Sequence, residues 1–225
     1  MLVFLFVRLE DTAKEYDILD WQDALLRGFF HDISEKGKKY FSNDDTLRIG
    51  LWNHVTCQNQ EVISLDLDGI LYGNFSLCCA PPTTRTLVVR SCKQRYPINT
   101  RCLPRRLERV NLFNNKIFGC PDLTKLPPHL ITLNFSFNRM VGPIALRDLP
   151  RGMTELYITF NRIQQEIVFY EKIPKTLQRI TLLDAKGSRN IKLISPVDPD
   201  DAVDPRIFDE IDGNIHTIFF ENKTK

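Results

Sequence analysis

A repeated pattern of apolar residues constrains the fold of this chain more than any other feature of its sequence. Each copy reads apolar-x-x-apolar-x-apolar, as in Val62, Leu65 and Leu67. The central apolar residues of six copies are Leu65, Leu87, Val110, Leu133, Leu156 and Ile180. They are spaced 22, 23, 23, 23 and 24 residues apart. A period this constant predicts a solenoid, in which each copy forms one coil and buries its apolar face against its neighbours.

A residue that can form hydrogen bonds stands three places after the last apolar residue of four copies. These structural repeat positions are Cys92, Asn115, Asn138 and Asn161. The chain of a solenoid turns inward there, so we expect their side chains to satisfy backbone groups that water cannot reach. A proline such as Pro104 or Pro127 precedes each later core, where it ends one segment and starts the next strand.

These residues resemble the leucine-rich-repeat family, in the branch whose repeats read L-P-x-x-L-x-x-L-x-L-x-x-N-x-I-x-G. The resemblance covers residues 62–183. It implies an α/β fold: a curved, right-handed solenoid with a parallel β-sheet on its concave face and short irregular or helical convex segments. Residues 52–57 also resemble the amino-terminal cap of extracellular plant repeats, but they lack the cysteine that normally precedes Trp52. The likeness therefore implies a hairpin-like shape without the disulfide of those caps.

The repeats divide the chain into three parts. We predict an N-terminal helical cap in residues 1–60, about six repeats in residues 61–194, and an acidic loop with a capping strand in residues 195–225. Asp20 is a candidate helix N-cap. The apolar residues expected on one face of that helix are Trp21, Ala24, Leu25 and Phe29. The capping strand is expected at residues 214–221.

The compartment is predicted from the cysteines and the N-terminus. The apolar run at residues 1–7 ends at Arg8, too early for a signal peptide or a membrane span. In a chain of this length without a signal peptide, the six cysteines are expected to be buried thiols. A cytoplasmic, reducing location follows from this interpretation, and a disulfide that contains Cys57 would instead support an extracellular one.

Side chains of a strand alternate between the two faces of a sheet, so the repeat pattern also predicts which residues face outward on the concave side. Aromatic residues and arginine contribute most to protein interfaces. The residues expected to bind a partner are therefore Arg90, Arg109, Asn111, Phe113, Tyr157 and Arg179. Phe137 and Phe160 lie one repeat apart, and we expect their rings to stack as part of the scaffold.

Charge is distributed unevenly along a chain whose net charge is only +2. Residues 85–116 contain nine basic residues and one acidic residue, a local net charge of +8. The part of this segment that we call the basic flank consists of Arg101, Arg105 and Arg106. Residues 196–212 contain seven acidic residues and one arginine, a net charge of −6. Either both segments bind oppositely charged partners, or both are solvated surfaces.

The sequence contains no set of residues that predicts catalysis. The four histidines are far apart, Cys78 and Cys79 are adjacent rather than spaced as metal ligands, and no phosphate-binding glycine loop is present. We therefore expect a protein that is not an enzyme and uses no cofactor, metal or small-molecule substrate. The expected function is an intracellular adaptor or assembly subunit that binds a protein, without a membrane. An extracellular recognition or adhesion module is the alternative, and an RNA-binding subunit that uses the basic residues is disfavoured by the low net charge.

Overall fold

The structure is a computed structural model that describes residues 18–42, 52–182, 191 and 193–208. Two α-helices come first, α1 (Ile18–Phe29) and α2 (Glu35–Phe41). The strands are β1 (Val55–Gln58), β2 (Glu61–Asp68), β3 (Thr86–Arg90), β4 (Arg109–Asn111), β5 (Phe118–Gly119), β6 (Thr132–Asn134), β7 (Arg139–Met140), β8 (Glu155–Tyr157), β9 (Ile167–Tyr170), β10 (Arg179–Thr181) and β11 (Leu193–Pro196). Short 3-10 helices lie at Leu77–Cys79, Thr100–Cys102, Leu123–Lys125, Pro199–Asp201 and Pro205–Ile207.

The chain forms a β-solenoid of about five turns, whose main sheet has the order β1-β2-β3-β4-β6-β8-β10. The strands from β2 to β10 are parallel, and each comes from one repeat. Their register pairs the central apolar residue of each repeat with that of the next, as in Leu65 with Leu87 and Val110 with Leu133. The spacing read from the sequence therefore corresponds to one strand per coil. β1 pairs with β2 in an antiparallel hairpin, as the resemblance implies.

Asparagine side chains connect the central coils inside the solenoid. Asn138 Nδ2 donates to the carbonyl oxygen of Leu112 in the preceding coil at 2.8 Å, and its Oδ1 accepts from the backbone N–H of Ile117. Asn115 and Asn161 make the equivalent bonds to their own preceding coils. Because these backbone groups are buried, each asparagine removes the cost of leaving them unsatisfied.

In five coils, the residue just before the asparagine position of the repeat lies in the left-handed backbone region. The residues are Gly69, Ser91, Asn114, Phe137 and Phe160, with φ between 56° and 69°. Glycine is the residue best suited to this conformation, and asparagine tolerates it better than phenylalanine does. The two phenylalanines are thus held there by packing, and their rings stack with centroids 4.0 Å apart, which confirms the predicted contact.

Helix α1 packs its polar and apolar side chains against the first coil. Gln22 Oε1 accepts from the N–H of Val62, and its Nε2 donates to the carbonyl of Gln60, both at 2.7 Å. Among residues 20–29 of α1, the buried side chains are Gln22, Leu26 and Phe29, whereas Trp21 is 49% exposed. The helical face predicted from the sequence is therefore confirmed for Phe29 and wrong for Trp21 and Ala24, which are exposed because the helix turns Gln22 towards the first coil.

The cysteines differ from the prediction of buried thiols. Cys78 and Cys102 form a disulfide that joins the segments before β3 and β4. Of the four free cysteines, only Cys92 is buried, while Cys57 and Cys120 are exposed. Burial raises the pKa of the Cys92 thiol to about 11. Its sulfur lies at an asparagine position and donates to the carbonyl of Leu67 at 3.0 Å.

The acidic segment after the sixth repeat contains regular structure rather than only a loop. β11 pairs in parallel with β9, and the chain returns so that Phe208 forms a parallel bridge to Ile180 of β10. A residue 28 positions after Ile180 thus occupies the place beside β10. The strand predicted at residues 214–221 lies outside the described residues.

Candidate binding surface

The side chains on the face of the main sheet opposite the leucine core form three columns that run across its strands, and we call this surface the sheet face. Three of these side chains, Ser136, Thr159 and Thr181, are buried. The strand register defines the columns. The first contains Ser64, Thr86, Arg109, Thr132, Glu155 and Arg179, and the second contains Asp66, Val88, Asn111, Asn134, Tyr157 and Thr181. The third contains Asp68 and Arg90, followed in the next coils by Phe113, Ser136 and Thr159.

The six residues predicted to bind a partner all belong to these columns. Arg109 and Arg179 share the first column three strands apart, and Asn111 and Tyr157 share the second two strands apart. Neighbouring strands are about 4.8 Å apart, so Arg109 and Arg179 are separated by roughly 14 Å across the sheet. The surface is therefore extended rather than a converging pocket.

Arg90 is already paired within the molecule. Its Nε donates to Asp68 Oδ1 at 3.0 Å, and its Nη2 contacts the other carboxylate oxygen. The hydrogen bond from Arg90 lowers the pKa of Asp68. With Asp66 and His54, this ion pair lines a shallow depression at the N-terminal end of the sheet face. His54 has no repeat signal that would place it beside Arg90, because it lies outside the repeats, at the turn that leads into β1.

Asn111 and Phe113 also have structural contacts. Asn111 Oδ1 accepts from the backbone N–H of Phe113 at 3.0 Å, which fixes the turn after β4. The Phe113 ring packs on Phe137 with centroids 5.0 Å apart and extends the Phe137–Phe160 stack by one ring. A partner at these two residues would meet side chains whose positions are already held.

Arg109 and Tyr157 are the predicted residues with the most freedom to bind. Arg109 is exposed and Tyr157 is half-buried. Within residues 18–42, 52–182, 191 and 193–208, neither side chain makes a hydrogen bond or an ion pair. Asn134 lies between the strands of these two residues, beside Tyr157 in the second column. Its Oδ1 accepts from the N–H of Ser136.

Two of the three arginines of the basic flank pair with carboxylates from other coils. Arg101 pairs with Asp122 at 3.1 Å and Arg106 with Glu61 at 3.6 Å. Arg105 donates to a backbone carbonyl at 3.2 Å. The local net charge of +8 is therefore not a single unpaired patch. Hydrogen bonds from Thr124 and then from Arg101 lower the pKa of Asp122.

The described residues contain no group of three or more His, Cys, Asp or Glu side chains placed to hold a metal ion. In that same part of the chain, no helix has the length and apolar character needed to cross a membrane. The sheet face thus offers hydrogen-bonding, cationic and aromatic side chains, but the described residues hold no cluster suited to bind a metal.

Comparison with known proteins supports the fold rather than a family. No protein-family model matches the chain, and no curated protein matches it. A structure of pollen receptor kinase 3 is 17% identical, with a TM-score of 0.54, and covers 86% of this chain and 98% of that one. The BIR2 ectodomain from Arabidopsis thaliana is 21% identical with a TM-score of 0.49, covering 65% and 83%. A plant ice-binding protein is 16% identical with a TM-score of 0.50. The match covers 72% of this chain and 54% of that one.

The similarity to the pollen receptor kinase 3 structure supports the leucine-rich-repeat resemblance at the level of the fold alone. The prediction of a cytoplasmic location was wrong. The Cys78–Cys102 disulfide overturns it, because disulfides persist in oxidising compartments and are rare in the cytosol. The chain is thus a β-solenoid with a disulfide between consecutive coils.

Proposed function

We propose that this protein is an extracellular recognition module that binds a protein partner through the sheet face. The observation that carries the proposal is the extended surface on which Arg109 and Tyr157 project without a partner among the described residues. Solenoids use such surfaces for binding, and arginine and tyrosine dominate the energetics of protein interfaces. The disulfide supports the extracellular location.

A protein fits this surface better than a small molecule does. Small ligands are held in concave pockets that enclose most of their surface, whereas the depression beside Arg90 on the sheet face is shallow and open. The roughly 14 Å between Arg109 and Arg179 requires a ligand that spans several strands. We therefore propose a non-catalytic function, in which these two arginines contact acidic side chains of the partner and Tyr157 packs between them.

We further propose that the main sheet is concave, that the coils are right-handed, and that α1 and α2 cap the first coil. The support for the cap is a cluster of aromatic rings between the helices and the first coil. Phe30 packs against Phe41, Trp52 and Phe75 with centroids between 4.9 and 5.8 Å apart. Such packing covers apolar surface that the first coil would otherwise expose.

The test is affinity capture from the native source with the secreted, full-length chain and two double variants. Arg109→Glu/Tyr157→Ala removes the proposed contacts. Arg147→Glu/Phe169→Ala is the matched control, because it makes the same charge change and removes one exposed aromatic ring away from the sheet face. We expect a partner that the wild type and the control capture and the sheet-face variant does not. Equal capture by all three proteins would contradict the proposal, as would loss from the control alone.

A further inference from the structure

A second outward-facing surface follows the asparagine position of each coil, and we call it the lateral face. Four segments contribute to it: residues 93–96, 116–119, 139–142 and 162–165. Their first and third side chains are exposed and their second is buried, as expected for extended segments. The exposed residues are Lys93, Arg95, Lys116, Phe118, Arg139, Val141, Arg162 and Gln164.

The first residue of every lateral segment is a cation, and the backbone places these cations in one column. The N–H of Lys116 donates to the carbonyl of Gln94 in the preceding coil at 2.8 Å. Arg139 and Arg162 make the same bond to their own preceding coils, also at 2.8 Å. Lys93, Lys116, Arg139 and Arg162 are thus stacked one per coil, at intervals of about 4.8 Å.

These charges are not compensated, in contrast to those of the basic flank. The four lateral segments contain no aspartate or glutamate. In the part of the chain that the structure describes, the four cations of the column form no ion pair, whereas Arg101 and Arg106 do. Like charges on neighbouring strands destabilise a sheet. The column therefore opposes folding, and a ligand that supplies negative charge would remove this cost.

We propose that the lateral face binds a linear anionic polysaccharide with one carboxylate or sulfate on each sugar. Such a chain presents single negative charges at regular, short intervals, which suits a column of single cations. Phe118 and Val141 are each 42% exposed beside the column, and they offer apolar surface to the C–H groups of sugar rings. The oxidising compartment indicated by the disulfide is also where such polysaccharides occur.

An acidic peptide fits the column less well. Residues on one face of an extended peptide repeat about every 6.7 Å, whereas the cations repeat about every 4.8 Å, so the charges would lose register. The proposed glycan site lies away from the sheet face and does not depend on the function proposed for that face. Either proposal can fail while the other holds.

The test measures binding of the secreted, full-length chain to immobilised polygalacturonate and to immobilised heparin at increasing NaCl. The variant Lys116→Glu/Arg139→Glu reverses two adjacent cations of the column. Arg147→Glu/Arg151→Glu makes the same charge change at exposed arginines outside the lateral face. A cooperative thermal unfolding transition in each variant shows that both variants are folded.

We expect the wild type and the control to bind polygalacturonate, which has one carboxylate on each sugar, with an affinity that falls as salt rises. Heparin, which has more charges on each sugar, shows whether charge density alone decides binding. The lateral variant should bind on the order of tenfold more weakly or worse. Phe118→Ser should produce a smaller loss. The proposal would be overturned if the wild type did not bind polygalacturonate at low salt, or if both charge variants lost binding equally. Tighter binding to single-stranded DNA of similar length would instead indicate a nucleic-acid site.

Discussion

The central coils and the N-terminal coils satisfy buried backbone groups of the preceding coil with different residues. Between β4 and β8, Asn115, Asn138 and Asn161 repeat one hydrogen-bonding pattern. Towards the N-terminus, Cys92 replaces the asparagine and Gln94 supplies the amide, with its Nε2 donating to Gly73 and its Oε1 accepting from Phe75. The disulfide lies in the same N-terminal region. The repeated asparagine hydrogen bonds allow each central coil to support the next. The N-terminal end of the solenoid instead depends on hydrogen bonds and a disulfide that each occur once.

The largest expected effect comes from the central coils. Asn138→Ala removes the donor to Leu112 and the acceptor for Ile117, and leaves both backbone groups buried. We expect a loss of about 4 kcal/mol in the free energy of unfolding, measured by chemical denaturation. Because neighbouring coils depend on each other, the loss should appear as a cooperative change rather than local fraying. An unfolding curve equal to that of the wild type would contradict the role given to this asparagine.

Removal of the disulfide should have the next largest effect, and it should act on the N-terminal coils. Cys78→Ser/Cys102→Ser opens a link between residues 24 positions apart. A link of this length stabilises a protein by about 3 kcal/mol through restriction of the unfolded chain. Hydrogen exchange should increase from β2 to β4 more than from β6 to β10. A uniform increase across all coils would show that the two regions do not differ in this way.

Gln22→Ala should have a smaller and more local effect. The change removes hydrogen bonds from α1 to Gln60 and Val62, and costs about 2 kcal/mol for the docking of the helix. Faster hydrogen exchange confined to α1 and the β1–β2 hairpin is the expected result. Protection of α1 unchanged from the wild type would show that the helix docks through its apolar side chains alone.

The smallest expected effect is a gain in stability from Cys92→Asn, which gives the N-terminal region the residue of the central coils. The new amide would repeat the bond of Asn115 to the preceding coil and add about 1 kcal/mol to the free energy of unfolding.

The Cys92→Asn substitution should also remove a dependence of stability on alkaline pH. The folded-state pKa of Cys92 is raised above its ordinary value of 9.0, so its contribution to stability is present below pH 9 and is lost as the pH rises towards 11. Thermal unfolding of both proteins at pH 8 and pH 10.5 measures this difference, and a parallel decline in both would contradict it.

The sequence predicts the parts of the fold that depend on the repeat itself. Strand register, the asparagine positions and the Phe137–Phe160 stack all follow from residues that recur at one spacing. Hydrogen bonds that occur once, such as those of Gln22, leave no periodic signal. The cysteines do carry a repeat signal. Cys79 and Cys102 lie 23 residues apart, which is one repeat and places cysteines of neighbouring coils close together, and Cys78, next to Cys79, pairs with Cys102.

Surface chemistry is less predictable than register, because it depends on partners that are distant in the sequence. The charge count for residues 85–116 could not include Asp122 or Glu61, which pair with Arg101 and Arg106. The lateral cations, by contrast, were visible in the sequence, since each directly follows a structural repeat position, as Lys116 follows Asn115. The sequence does not show that the backbone stacks them in one column, and this stacking is the observation from which we propose a site.

Hydrogen–deuterium exchange of the complex with the captured partner tests the central proposal most directly. If the sheet face is the binding surface, protection on binding should be greatest in β4, β6 and β8, and should be absent in the Arg109→Glu/Tyr157→Ala variant at the same concentrations. Protection confined to residues 116–119 and 139–142, or to the 3-10 helices on the opposite side of the coils, with the main sheet unchanged, would contradict it.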